Sequence, residues 1–162
     1  MKPQITQEFL HDLFEYKDGN LFYKKDRLVK RVGEKAGTPT SDKRYIQVGM
    51  NGSLFLLHRL IYFYHHNYFP KYVDHINGIK TDNRIENLRE ANSFQNNQNR
   101  IKKPNTKYPA KGIYQHSKYK NKFCVEIYAN GKRIHLGIFD NLNDAVSASN
   151  EGRIKHHQDF AN

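Results

Sequence analysis

The 162-residue chain has no tryptophan, one cysteine and two methionines. The single cysteine, Cys124, excludes a disulfide framework and a cysteine-cluster zinc site, so no structural zinc is expected. Acidic residues are scarce as well: 16 Asp and Glu face 27 Lys and Arg, for a formal net charge of +11. Long apolar runs are missing. The longest, Leu54–Leu57 and then Leu60–Tyr64 beyond His58-Arg59, is too short and interrupted to span a bilayer. The opening MKPQITQEFLHD has no apolar stretch of the signal-peptide kind, and a cytoplasmic protein in a reducing compartment is expected. What is present is a hydrophobic share of 37%, enough for a modest core. The surplus of cations points to a polyanionic partner.

The charge is unevenly spread. Residues 1–57 carry 10 cations and 7 anions, residues 58–100 carry 6 and 4, and residues 101–162 carry 11 and 5. A nearly balanced middle followed by a basic tail suits a chemical module with a binding module behind it. The sequence divides in the same way. Apolar spacing predicts a helix over Ile5–Phe14, a turn at Asp18-Gly19-Asn20 and polar loop over 24–43. A hairpin closed by Asn51-Gly52 follows, then a core helix over His58–Asn67 that Pro70 ends. His58 is read as structural at the start of that helix. The segment 101–111, IKKPNTKYPAK, with two prolines and four lysines, reads as a linker between a module at 1–100 and one at 112–160.

The densest chemistry lies in Tyr72–Arg100, in the order strand, loop, strand, helix, with Asn92 placed to cap a helix over Ser93–Arg100. Phosphodiester cleavage needs a base to activate water and a cation to neutralise the scissile phosphate and leaving oxygen. Histidine is the usual base near neutral pH. Asp74 supplies an anionic oxygen for Mg²⁺, and Asn96 a neutral one. Neighbours on a regular strand point to opposite faces, so Asp74 and His75 share a site only where the strand ends, and the Asn77-Gly78 turn allows that. Asp82 and Asn83 are read as caps of a short turn at 84–87, and Arg100 as a candidate phosphate contact.

Asp74-His75, Asn87 and Asn96 at these intervals, with His58-Arg59-Leu60 and NRIENLR at Asn83–Arg89, resemble phage and intron-encoded HNH homing endonucleases with a ββα-metal site. The resemblance is strong over 58–100. It implies His75 as the water-activating base and Asn87 as its orienter through a backbone hydrogen bond. It also implies Asp74 and Asn96 as ligands of Mg²⁺ or Mn²⁺, double-stranded DNA as substrate, and a monomer nicking one strand in a phage-infected bacterial host. Asn96 stands where the third letter of the name calls for histidine, as in nicking members.

Gly112–His157 continues with period-two alternation, an Asn130-Gly131 turn and a helix capped by Asn141. It resembles the ethylene-response-factor type of DNA-binding domain, a three-stranded antiparallel sheet on one helix whose open face enters the major groove. Two tryptophans usual in that family are replaced by Phe123 and His135. Parity places Val125, Ile127, Ile134, Leu136 and Ile138 toward the helix, and Tyr114, Glu126, Tyr128, Arg133 and His135 outward. Arg133 suits a guanine edge, while Lys118 and Lys122 suit phosphates. The expected fold class is therefore α+β, a nuclease module followed by a sheet-on-helix module. Two rivals stay open: a DNA-binding regulator with an inactive nuclease module, and an RNA-binding protein.

Overall fold

The computed structural model describes residues 5–25, 32–99, 107–129 and 131–161. Its contacts divide the chain into two compact units, Met1–Ala91 and Asn92–Asn162. In the first, helix α1 (Gln7–Leu13) starts where the Thr6 hydroxyl accepts the Phe9 amide at 3.1 Å. Strand β1 (Phe14–Lys17) turns back into β2 (Asn20–Tyr23) through Asp18-Gly19, whose φ values of +46° and +73° suit a two-residue hairpin.

The stretch expected to be all loop contains a short strand, β3 (Thr38–Pro39), on the edge of a sheet with β4 (Ile46–Met50) and β5 (Ser53–Leu56). Two residues carry too little pattern to be legible, and proline is tolerated because an edge strand pairs on one side only. Residues 26–31 of that stretch lie outside the described residues. Helix α2 (Leu57–His66) buries Leu57, Leu60, Ile61 and Phe63. It ends where expected, at Asn67, which takes the left-handed conformation (φ +60°) and whose amide closes on the Phe63 carbonyl at 2.9 Å.

Strands β6 (Tyr72–His75) and β7 (Leu88–Ala91) pair antiparallel, with Asp74 opposite Arg89 and His75 opposite Leu88. A 3-10 turn, Ile85–Asn87, leads into β7. Val73 and Leu88 join the cluster of Leu10, Phe14, Leu21, Val48, Leu60 and Ile61. Core packing thus holds the two strands that carry Asp74, His75 and Arg89.

The second unit begins with α3 (Ser93–Gln98), opened by a capping box between Asn92 and Gln95. Arg100 lies outside the described residues. The sheet runs in the order β10 (Lys132–Phe139), β9 (Phe123–Ala129), β8 (Ile113–Gln115). Helix α4 (Leu142–His157), capped by Asn141, covers one face through Leu142, Ala145 and Val146 on Ile113, Val125, Leu136 and Phe139. Tyr108 and Ala110 pack on the same cluster, and Ser149 Oγ donates to the Lys111 carbonyl at 2.6 Å. Residues 107–111, expected as linker, are therefore built into this unit. Residues 101–106, and Asn130 of the expected turn, lie outside the described residues.

One parity expectation fails. The register steps from His135↔Glu126 to Gly137↔Val125, so Leu136 is the extra residue of a β-bulge. Beyond it the phase reverses. Ile138 pairs with Cys124 and is 45% exposed on the open face, while Phe139 turns to the helix.

Gly19 meets the loop before β7: a Cβ there would lie 2.6 Å from Arg84 N and 2.9 Å from the Asn83 carbonyl carbon. Gly33 shares a positive φ, +82°, but has nothing within 4 Å of such a Cβ. Left-handed backbone costs a non-glycine residue about 1–2 kcal/mol. Gly33→Ala should lose about that amount in denaturant unfolding. Gly19→Ala should lose measurably more, because backbone must also move; equal losses would show that the close approach carries no weight.

Candidate active site

Strand β6 ends at His75, and the chain turns at once, the Gly78 amide donating to the His75 carbonyl at 2.9 Å. Asp74, His75 and Asn87 are all buried within the first unit. The strand's end lets adjacent residues take different partners.

His75 Nε2 lies 2.9 Å from Asn83 Oδ1, and Asn83 is only 3% exposed. An amide oxygen accepts only, so this nitrogen carries the proton and Nδ1 is the basic one. Burial holds the His75 pKa below the usual histidine range, against the opposing pull of Asn83 and of the Asp74 and Asp82 charges. The ring is neutral near pH 7, as a base must be.

Asn87 does not touch the imidazole. Its Oδ1 accepts the Asn77 amide at 3.0 Å, and its Nδ2 donates to Asn77 Oδ1 at 3.0 Å and to the Asp82 carbonyl at 2.7 Å. The Ile76 amide also donates to the Asn87 carbonyl, at 2.9 Å. Asn87 therefore fastens both ends of the 76–87 loop that presents Asn83.

The Asp74 carboxylate accepts from Arg89 Nε at 3.0 Å across the β6–β7 ladder, both side chains being largely buried. Buried carboxylates need such a partner. Its hard anionic oxygens are the donor type that a hard divalent cation takes. Asn96, expected as a second ligand, is exposed on α3 of the second unit.

Two rings complete the surroundings. His58 packs edge-on against His75, ring centroids 5.0 Å apart, with Tyr45 at 5.3 Å from His58. The sequence reading of His58 as the first turn of a core helix misses this contact, and setting Asn83 aside as a turn cap misses the partner of His75. Asn83 caps nothing: the 3-10 turn begins at Arg84 without a side-chain cap. Both depend on how a loop and a helix meet in space, and no local spacing announces them. Arg89, opposite Asp74, was legible in principle from the strand pairing.

In the second unit Tyr114, Glu126, Tyr128, Arg133 and His135 share the open face as expected, with Arg133 opposite Tyr128 and His135 opposite Glu126. Arg133 and Tyr128 are exposed, and Glu126 is half-buried. Lys118 is exposed in the β8–β9 loop, and Lys122 pairs with Asp140 at 2.8 Å.

Residues 55–98 match the model of a family described as HNH endonuclease, which supports an HNH nuclease. HNH nucleases are generally metal-dependent, and a nuclease domain implies a nucleic-acid substrate. No curated protein and no solved structure matches. Among the described residues, no helix is long and apolar enough to cross a membrane.

Burial pushes the His58 pKa from 6.5 down to about 3. The unfolded chain then binds a proton that the folded chain refuses, so stability falls as pH drops from 6.5 toward 3. The slope for one such group is about 1.4 kcal/mol per pH unit. His58→Gln should flatten the fall in unfolding free energy between pH 6.5 and 5 by up to that amount. An unchanged slope in urea titrations would mean His58 is protonated in the folded chain.

Proposed function

We propose that the chain is a metal-dependent HNH endonuclease that hydrolyses phosphodiester bonds of double-stranded DNA, as a site-selective nicking enzyme of the homing kind. The observation that carries it is His75 at the end of β6, neutral, with Nε2–H fixed on Asn83 and the Asp74 carboxylate beside it.

In this mechanism His75 Nδ1 removes a proton from water, and the resulting hydroxide attacks phosphorus in line. Asn83 holds the imidazole in the tautomer that leaves Nδ1 basic. As the imidazolium forms, Asp74 and Asp82 favour its charge, while the neutral His58 ring adds none. Asn87 keeps the loop closed behind Asn83. Asp74 would hold the metal. A bound divalent cation supplies neutralising charge at the scissile phosphate and the departing 3′ oxygen.

The open face of the second sheet is proposed to lie in the major groove, where Arg133 offers two donors to a guanine edge. Lys118 is assigned to phosphate, which positions without specifying. One base and one metal site per chain make a monomer nicking one strand the simplest stoichiometry.

His75→Ala should lower the rate of plasmid nicking about 10²–10⁴-fold while DNA binding persists. Asn83→Ala should lower kcat with KM little changed, and Asn83→Asp, which retains an acceptor for Nε2–H, should recover most of it. EDTA should stop cutting, and Mg²⁺ or Mn²⁺ restore it. Full activity of His75→Ala would remove it from the mechanism.

The DNA-reading face makes a separate expectation. Lys118→Ala should weaken binding to all duplexes alike and reduce the log–log salt slope by about 0.9. Arg133→Ala should instead narrow the gap between preferred and random duplexes by about 1–3 kcal/mol. Fluorescence anisotropy over a salt series reads both; identical behaviour of the two variants would refute the division of labour.

A further inference from the structure

Strand register assembles a second group of ligand-type side chains, far in sequence from Asp74. Cys124 and Glu126, two apart on β9, point to the same face, and β10 sets His135 opposite Glu126. Their ligand atoms all lie within 4.8 Å of one another. His135 Nδ1 is 3.6 Å from Cys124 Sγ and 3.8 Å from Glu126 Oε1. A tetrahedral ion with bonds of about 2.0–2.3 Å needs its ligands roughly 3.5 Å apart, and two of the three edges already approach that spacing.

The surroundings suit ligation rather than packing. A buried cysteine ordinarily behaves as a small apolar residue, but the Cys124 thiol donates to Tyr114 Oη at 3.1 Å and faces an imidazole and a carboxylate. Arg133 sits 3.6 Å from Glu126 Oε2, on the other carboxylate oxygen. Such outer partners fix the orientation of ligating groups.

We propose that Cys124, Glu126 and His135 bind one zinc-class transition-metal ion, with Tyr114 or water completing the set. On binding, the thiol gives up its proton to solvent, and sulfur, Nδ1 and Oε1 each donate an electron pair. His135 keeps its proton on Nε2. Thiolate and imidazole select a borderline or soft ion and discriminate against Mg²⁺, so the site is chemically distinct from the Asp74 carboxylate. The expectation of no structural zinc counted cysteines; a mixed donor set needs only one. The site does not depend on nuclease activity.

The chain has one cysteine, so thiol chemistry reads this site alone. Full-length protein is titrated with Zn²⁺, and the reaction of Cys124 with a chromogenic disulfide is followed. One equivalent of Zn²⁺ should slow it at least tenfold, and Mg²⁺ should not. Co²⁺ alone should give a thiolate-to-cobalt charge-transfer band that Cys124→Ser lacks. His135→Gln and Glu126→Gln should weaken Zn²⁺ binding at least tenfold, and Asp74→Asn should leave it unchanged. Absence of the cobalt band in the unaltered chain, protection that survives in His135→Gln, or its loss in Asp74→Asn would each overturn the proposal.

Discussion

One hydrogen bond, His75 Nε2–H to Asn83 Oδ1, decides which imidazole nitrogen is basic, and much of the first unit serves to hold its acceptor still. Asn83 sits on a loop without regular structure, so it must be fixed from outside. Asn87 ties the loop's two ends together, and the Tyr16 hydroxyl accepts the Ile85 amide at 2.9 Å. Gly19 lets the β1–β2 turn press against the backbone of Asn83 and Arg84. The N-terminal hairpin, far from His75 in sequence, thus backs the loop that holds its partner.

Electrostatics imposes the second constraint. Asp74 and His75 are adjacent and both buried, so the site concentrates ionisable groups where isolated charge is costly. Arg89 balances Asp74 across the ladder, and burial keeps His58 and His75 neutral. Only one imidazole of the pair has carboxylates arranged to favour its charged form. Two histidines in contact therefore differ: His58 has no carboxylate to favour its charge, whereas Asp74 and Asp82 partly offset the burial that holds His75 neutral.

The sequence made the periodic and punctuated elements legible. Asn51-Gly52, the Asn92 and Asn141 caps, and the alternation of β9 all appear where local chemistry places them. Asn87 entered through the family resemblance, whereas the strand end at Asp74 and His75 was legible from the Asn77-Gly78 turn that follows it. Asn83 was not, since its neighbour in space is eight residues away through an irregular loop. The end of α2 at Asn67 was legible too, because the apolar spacing runs out there ahead of Pro70. The strand at Thr38–Pro39 exists through its partner β4, which no local pattern could supply.

The bulge at Leu136 shows how one extra residue resolves competing demands on β10. Strict alternation through residue 138 would keep Arg133 and His135 outward but would leave Phe139 outward too. The inserted residue lets Leu136 reach α4 and then returns Phe139 to the same core. Its consequence is Ile138 beside Cys124 on the open face. That face is charged around Glu126, Arg133 and His135, and apolar around Ile138 and Tyr114. Under the proposed function, donors and an apolar surface side by side are what a groove reader needs, because base edges present both polar atoms and methyl groups. The packing requirement of the hidden face thereby sets the chemistry of the exposed one.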